Sequence, residues 1–72
     1  MASREIPFAA SSNVKSIVYD DETQILTVGF ARGTYIYKGV DGNTADGFST
    51  ALSAGGYFDQ AIKGQYEYEK VG

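Results

Sequence analysis

Residues 25–40 read ILTVGFARGTYIYKGV and contain two alternating runs on either side of a short turn. Large apolar side chains occupy every second position of these runs, namely Leu26, Val28, Phe30, Tyr35 and Tyr37. A period of two is typical of a β-strand with one buried face, and a glycine between two such runs favours a tight hairpin. If Arg32-Gly33 is the two-residue loop of this hairpin, Phe30 lies opposite Tyr35.

A third strand precedes this hairpin. The run from Val14 to Asp20 alternates in the same way, and the turn-forming residues DDET at 20–23 follow it. A four-residue loop over 21–24 places Tyr19 opposite Leu26, so the three strands form an antiparallel meander. The predicted core face carries Ile17, Tyr19, Leu26, Val28, Phe30, Tyr35 and Tyr37. The opposite, outer face carries Ser16, Val18, Ile25, Thr27, Thr34, Ile36 and Lys38.

The second half of the chain predicts two short helices. Asn43 or Thr44 can N-cap a segment in which four apolar residues recur at helical spacing, namely Ala45, Phe48, Ala51 and Leu52. Gly55-Gly56 is expected to end this helix, and residues 57–63 to form a second one that Gly64 terminates.

The domain limits follow from these elements. Residues 1–10 are predicted to be an irregular leader that contains Pro7, and residues 11–72 to form a single domain. The tail over 65–71 is expected to be extended, either packed on the body or free. The predicted fold class is α+β: a three-stranded antiparallel β-meander followed by two short α-helices packed on one sheet face.

The composition argues against most catalytic chemistry. The chain has neither histidine nor cysteine, and six Lys and Arg against nine Asp and Glu give a net charge of −3. Because the commonest general base, nucleophile and transition-metal ligands are missing, we expect no enzyme, no cofactor and no metal. The missing cysteines and the lack of a signal-like or membrane-spanning run predict a cytoplasmic protein with no membrane partner.

Two local patterns resemble functional motifs and have simpler explanations. Asp20, Asp21 and Glu22 form a carboxylate cluster, but they stand where the first hairpin needs turn residues. Gly55-Gly56 lacks the glycine spacing and the lysine of a phosphate-binding loop, so we interpret it as helix punctuation.

The six tyrosines of the chain allow a sharper hypothesis. Aromatic side chains on a sheet can stack nucleic-acid bases, and basic residues stand close to them in the sequence. The alternation nevertheless places Tyr35 and Tyr37 on the core face, which favours a structural role for them. On the outer face, Val18, Ile25 and Ile36 have no assigned cover, and they form a candidate interaction surface.

An ordered series of residues completes the sequence pattern: Ser11-Ser12-Asn13, Tyr19-Asp20, Leu26-x-Val28-x-Phe30, Gly33, Tyr35-Ile36-Tyr37, Gly39-Val40, and residues 53–58 with Ile62 and Tyr66. This series covers residues 11–71 and resembles the KTSC domain. That family is named for its place at the C-terminus of some lysyl-tRNA synthetases and includes short stand-alone bacterial and phage proteins. The resemblance implies a non-catalytic domain for which RNA binding has been suggested. The residues expected to define its fold are Tyr19, Phe30, Gly33, Tyr35, Tyr37 and Phe58.

Two functions stay open at this point. The first is a nucleic-acid-binding module that holds RNA or single-stranded DNA on a local basic patch, with a tyrosine as the stacking surface. The patch residues are Lys15, Arg32, Lys38 and Lys63. The alternative is a protein-interaction or regulatory module, a homodimer or a complex with another protein, that uses Val18, Ile25 and Ile36 on the outer face.

Overall fold

The computed structural model describes residues 3–9 and 13–72 and has one antiparallel sheet with a helical layer on its core face. Five strands are adjacent in the order of the sequence: β1 (Ser3–Glu5), β2 (Val14–Asp20), β3 (Ile25–Phe30), β4 (Gly33–Lys38) and β5 (Glu67–Lys70). Two short helices lie between β4 and β5. They are α1 (Gly42–Asp46), which continues as the 3₁₀ helix Gly47–Ser49, and α2 (Ala54–Tyr57), which continues as the π-helical turn Phe58–Ile62. The α+β class is confirmed.

The predicted number of strands is wrong because the sequence analysis missed both edge strands. β1 lies inside the predicted irregular leader and pairs with β2, with Arg4 opposite Tyr19. β5 lies in the tail and pairs with β4, with Tyr68 opposite Tyr37. Every residue of β1 and β5 is exposed, so neither strand has the buried alternation on which the prediction depended. The predicted boundary at residue 10 and the Ser11-Ser12 turn lie outside the described residues.

The register of the first hairpin is confirmed, with Tyr19 opposite Leu26. The register of the second is wrong by two residues, because Ala31-Arg32 forms the loop and Phe30 pairs with Gly33. Gly33 has φ 155°, and a Cβ atom there would collide with the carbonyl oxygen of Gly72. Glycine is therefore needed at the first position of β4. The shift is even, so every side chain keeps its predicted face.

The predicted core face is confirmed by burial. Five of its seven residues are at most 5 % exposed, and Phe30 and Tyr35 pack at the border of the same cluster. The helical layer adds Ala45, Phe48, Ala54, Phe58 and Ile62 to this core. The hydroxyl of buried Tyr19 donates a hydrogen bond to the carbonyl oxygen of Val40 at 2.5 Å, which ties the meander to the chain that enters α1.

The first helix is shorter than predicted. Asp41 caps it, since its Oδ1 accepts a hydrogen bond from the amide of Thr44 at 3.2 Å, so the predicted cap at Asn43 or Thr44 is wrong. Leu52 was predicted on the buried face of this helix and is 99 % exposed. A side-chain oxygen that satisfies the first amides fixes where a helix begins more strongly than apolar spacing does.

The second helix begins earlier than predicted. Ser53 Oγ accepts a hydrogen bond from the amide of Gly56 at 3.3 Å, which starts α2 at Ala54. Gly55-Gly56 therefore lies inside this helix and does not end the first one. Gly64 follows the π-helical turn with φ 79°, so its predicted place after the second helix is confirmed. No helix in residues 3–9 and 13–72 is long and apolar enough to cross a membrane.

Candidate functional site

The helical layer covers the core face of the sheet only in part, and a cleft opens between β3, β4, β5 and the π-helical turn. One end, the aromatic end, has a volume of about 270 Å³ and is lined by Phe30, Tyr35, Tyr37, Phe58, Lys63, Gly64 and Tyr68. The other, the polar end, has a volume of about 840 Å³ and adds Asn13, Ala31, Arg32, Ser53, Gly55, Gly56 and Asp59. Phe30, Tyr35, Phe58 and Lys63 line both ends, so the two ends of the cleft adjoin each other.

The aromatic end is built from rings that support one another. Tyr68 stacks on Tyr37 with ring centroids 5.7 Å apart and planes 29° apart, and it also contacts Tyr35 at 6.1 Å. Phe58 meets Tyr37 edge-on at 5.3 Å from the helical side. Tyr68 is nevertheless 64 % exposed. One flat aromatic surface is therefore held in a fixed orientation by its neighbours while it stays open to solvent.

The hydroxyl groups of the buried tyrosines are neutral. Desolvation by burial, followed by the nearby Tyr35 and Tyr68, raises the pKa of Tyr37 above its usual value. Burial also raises the pKa of Tyr19 and of Tyr57, whose hydroxyls donate to the carbonyl oxygens of Val40 and Thr44. The hydroxyls of Tyr19 and Tyr57 therefore stay protonated at neutral pH and donate these two hydrogen bonds.

The polar end carries cations without internal partners. Arg32 and Lys63 are exposed, and neither forms an ion pair with another described residue. Asp59 lines the same end, so its charged lining residues are two cations and one carboxylate. A site of this kind can hold a singly charged anion without an internal salt bridge having to break first.

The structure separates the four residues of the predicted basic patch. Arg32 and Lys63 meet in the cleft, as described above. Lys38 points to the outer face, where its Nζ lies 4.0 Å from Oε1 of Glu69. Lys15 is exposed at the register irregularity between Val14 and Ser16, and it is absent from the lining of both ends of the cleft. The patch is therefore wrong as a single surface, because strand alternation sends Lys38 to the opposite face.

The outer face groups the apolar residues as predicted, but in a narrow row. Val18 pairs with Thr27, and Thr27 with Ile36, across three strands. Glu5 on β1 and Glu69 on β5 close the two ends of this row. The three candidate interface residues Val18, Ile25 and Ile36 are all half-buried. Carboxylates at both edges oppose the burial of a broad apolar contact there.

The carboxylate cluster of the first hairpin has the predicted turn role. Oδ1 of Asp20 accepts hydrogen bonds from the amides of Glu22 and Thr23 at 2.9 and 3.2 Å. Asp21 contacts Nε of Arg4 at 2.9 Å. Within residues 3–9 and 13–72, no group of three acidic side chains is arranged to hold a metal ion.

Sequence reasoning missed two residues of the site, Tyr68 and Asp59, and a third cation beside it. Tyr66-x-Tyr68 alternates with glutamates, and this period of two was the available signal for a fifth strand. Lys70 lies opposite Tyr35 on β5 and its side chain reaches Gly33, outside the lining of the cleft. The π-helical turn that positions Phe58 and Asp59 has no sequence signal, although such turns occur frequently at functional sites.

A five-stranded antiparallel sheet, with short helices on one face and an open aromatic cleft beside them, defines a small α+β domain. The sequence model of the KTSC domain family matches residues 10–66, and the chain belongs to this family. The crystal structure of a KTSC domain protein from Yersinia pestis is similar to it, with a TM-score of 0.88 and 36 % identity, over 99 % of this chain and 100 % of that one. An uncharacterized protein of Stutzerimonas stutzeri strain A1501 is 38 % identical over 63 residues, which cover 85 % of this chain and 89 % of that protein.

Proposed function

We propose that this protein is a non-catalytic binding module that holds single-stranded RNA or DNA in the cleft. The observation that carries the proposal is the pairing of an exposed aromatic ring with cations that form no ion pair with another described residue. Tyr68 offers its ring at one end of the cleft, Arg32 lies at the other, and Lys63 lines both ends. Proteins that bind single strands combine these two elements, a stacking surface for bases and cations that follow the phosphates.

The distribution of charge supports this function although the net charge is −3. The exposed carboxylates of Glu5, Glu67 and Glu69 alternate to the outer face of the sheet, away from the cleft. Salt screens exposed charges beyond about 10 Å at 0.1 M ionic strength, so a strand in the cleft responds mainly to the charges that line it, those of Arg32, Lys63 and Asp59. The acidic outer face repels the same strand and favours one orientation of the complex.

The chemistry of the site supports binding rather than catalysis. Tyrosines that act as bases or nucleophiles need a lowered pKa, whereas burial raises the pKa of Tyr37 here. The chain also lacks histidine and cysteine. The cleft therefore offers contact surface, hydrogen bonds and charge to its ligand, and no activated group.

The shape of the cleft favours single strands over duplexes. Tyr68 can stack only on a base whose flat face is accessible, and in a duplex both faces are covered by neighbouring base pairs. Shape and phosphate contacts alone remain for a duplex. We therefore expect a single strand to bind more tightly than the duplex of the same sequence.

The test is a fluorescence anisotropy titration with labelled single-stranded RNA, single-stranded DNA and duplex DNA at low salt. Arg32→Gln and Lys63→Gln are expected to weaken single-strand binding and to make the log-log slope of affinity against salt shallower by about 0.7 for each phosphate that the variant no longer neutralises. Lys38→Gln removes the same charge from the outer face and is the matched control, expected to keep the wild-type affinity. The proposal is overturned if no oligonucleotide changes the anisotropy, or if Lys38→Gln weakens binding as much as Lys63→Gln does.

A further inference from the structure

We infer that Asp59 reduces the advantage that a doubly charged terminal phosphate would otherwise have over a singly charged internal phosphodiester in the cleft. This inference rests on the proposed function, and it lets an internal stretch of a single strand compete with a phosphorylated strand end. It concerns a residue to which the sequence pattern assigned no role.

The two ends of the cleft divide the parts of a nucleotide between them. The aromatic end, with about 270 Å³ and the ring of Tyr68, suits a planar base. The polar end, with about 840 Å³, suits the sugar and the phosphate. Lys63 lines both ends, so a nucleotide bound in this way would have Lys63 beside the link between its nucleoside and its phosphate.

The charges at the polar end set its preference. Arg32 and Lys63 contribute two positive charges and Asp59 one negative charge, which leaves a balance of one positive charge. A phosphodiester carries a single negative charge, whereas a phosphate monoester carries about −1.5 to −2 at neutral pH. Each negative charge on the ligand is repelled by the Asp59 carboxylate, so the monoester is penalised about twice as much as the diester.

The size of this effect follows from Coulomb's law. Two unit charges about 7 Å apart in water interact strongly enough to change a binding constant by about threefold. For a phosphate bound about 7 Å from the Asp59 carboxylate, loss of this charge is expected to strengthen diester binding about threefold and dianionic monoester binding about ninefold. The ratio of the two affinities, which cancels any general effect on the fold, shifts by about threefold.

The experiment compares two ligands with the same base and sugar: thymidine 5′-monophosphate, and its methyl ester, which is a diester. Their affinities for the full chain are measured by NMR chemical-shift titration at pH 8, where the monoester is fully dianionic. Asp59→Asn is expected to shift the affinity ratio about threefold toward the monoester. Glu69→Gln changes the net charge equally, on the outer face, and is expected to leave the ratio at its wild-type value.

Two results overturn the inference: an unchanged ratio in Asp59→Asn, or an equal shift in Asp59→Asn and Glu69→Gln. If single-stranded oligonucleotides still bind in either case, the proposed function stands and only the role of Asp59 is refuted. If neither oligonucleotides nor the two thymidine ligands bind, both the function and the inference are overturned.

Discussion

Tyr68 is the residue whose removal tests the proposed site most directly. Truncation by Tyr68→Ala deletes the exposed ring of the aromatic end, while Tyr68→Phe keeps the ring and deletes only the hydroxyl. Base stacking on an aromatic side chain is worth about 1–3 kcal/mol per base. Tyr68→Ala is therefore expected to weaken single-strand binding about 5- to 140-fold, and Tyr68→Phe to stay within about twofold of wild type.

The effect on folding is expected to be much smaller. Tyr68 is 64 % exposed, so a little over a third of its surface is buried, mainly against Tyr37 and Tyr35. An aromatic pair contributes about 0.5–1.5 kcal/mol beyond the area it buries, and each kcal/mol corresponds to a decrease of about 4–8 °C in melting temperature. The variant is thus expected to remain folded at the temperature of a binding assay.

Anisotropy titrations with a labelled pyrimidine oligonucleotide measure the affinities, and thermal circular dichroism checks that each variant is folded. Val71→Ala is the control, since Val71 is also an exposed hydrophobic residue of the C-terminal segment and does not line the cleft. An affinity of Tyr68→Ala within twofold of wild type would refute the stacking role. A decrease in affinity that is as large in Tyr68→Phe would assign the effect to the hydroxyl and refute it as well.

The meander could be predicted from the sequence because its strands are half-buried. Leu26 and Val28 are fully buried on either side of the half-buried Thr27, and this alternation predicted the faces correctly even though the predicted register was wrong by two residues. The edge strands could not be found in this way. In β5 the stabilising contacts are backbone pairing with β4 and one ring stacked on Tyr37, and the short Tyr66-x-Tyr68 alternation does not show which strand it pairs with.

The site was only half predictable for a related reason. Arg32 and Lys63 were chosen as cations close to aromatic residues, and they do meet in the cleft. Arg32 lies in the turn between β3 and β4, and Lys63 follows the π-helical turn, 31 residues later in the sequence. A local sequence pattern therefore cannot show that the two residues line the same cleft. Tyr68 enters the site only because β5 pairs with β4, so its role followed from the strand that was missed.

Two further predictions concern the fold itself. Tyr19→Phe leaves the buried carbonyl oxygen of Val40 without its donor and is expected to lower the free energy of unfolding by about 1–3 kcal/mol. Its melting temperature is therefore expected to be lower than that of the control Tyr35→Phe, and equal melting temperatures would contradict this. The hydrogen bond from Arg4 lowers the pKa of the Asp21 carboxyl in the folded protein. The contact therefore stabilises the fold above the unfolded pKa of about 4, and this contribution is lost as the pH falls through the lower pKa of the folded state. Urea unfolding measures how far the free energy of unfolding falls between pH 6 and pH 2, and this fall is expected to be smaller in Arg4→Gln than in wild type. Identical falls would show that the contact between Arg4 and Asp21 does not cause it.

The aromatic residues of this domain serve the fold and the site in different proportions. Tyr37 is 5 % exposed and supports both Phe58 and Tyr68, so a substitution there disturbs the core and the cleft together. Tyr35 lies at the border between them, in contact with Phe30 and Tyr68. Among the described residues, Tyr68 makes ring contacts with Tyr37 and Tyr35 and is otherwise largely exposed, so it is the aromatic residue of the cleft at which binding can be separated from folding. Tyr35 and Tyr37 of β4 support the ring of Tyr68, and the edge strand β5 exposes that ring to solvent.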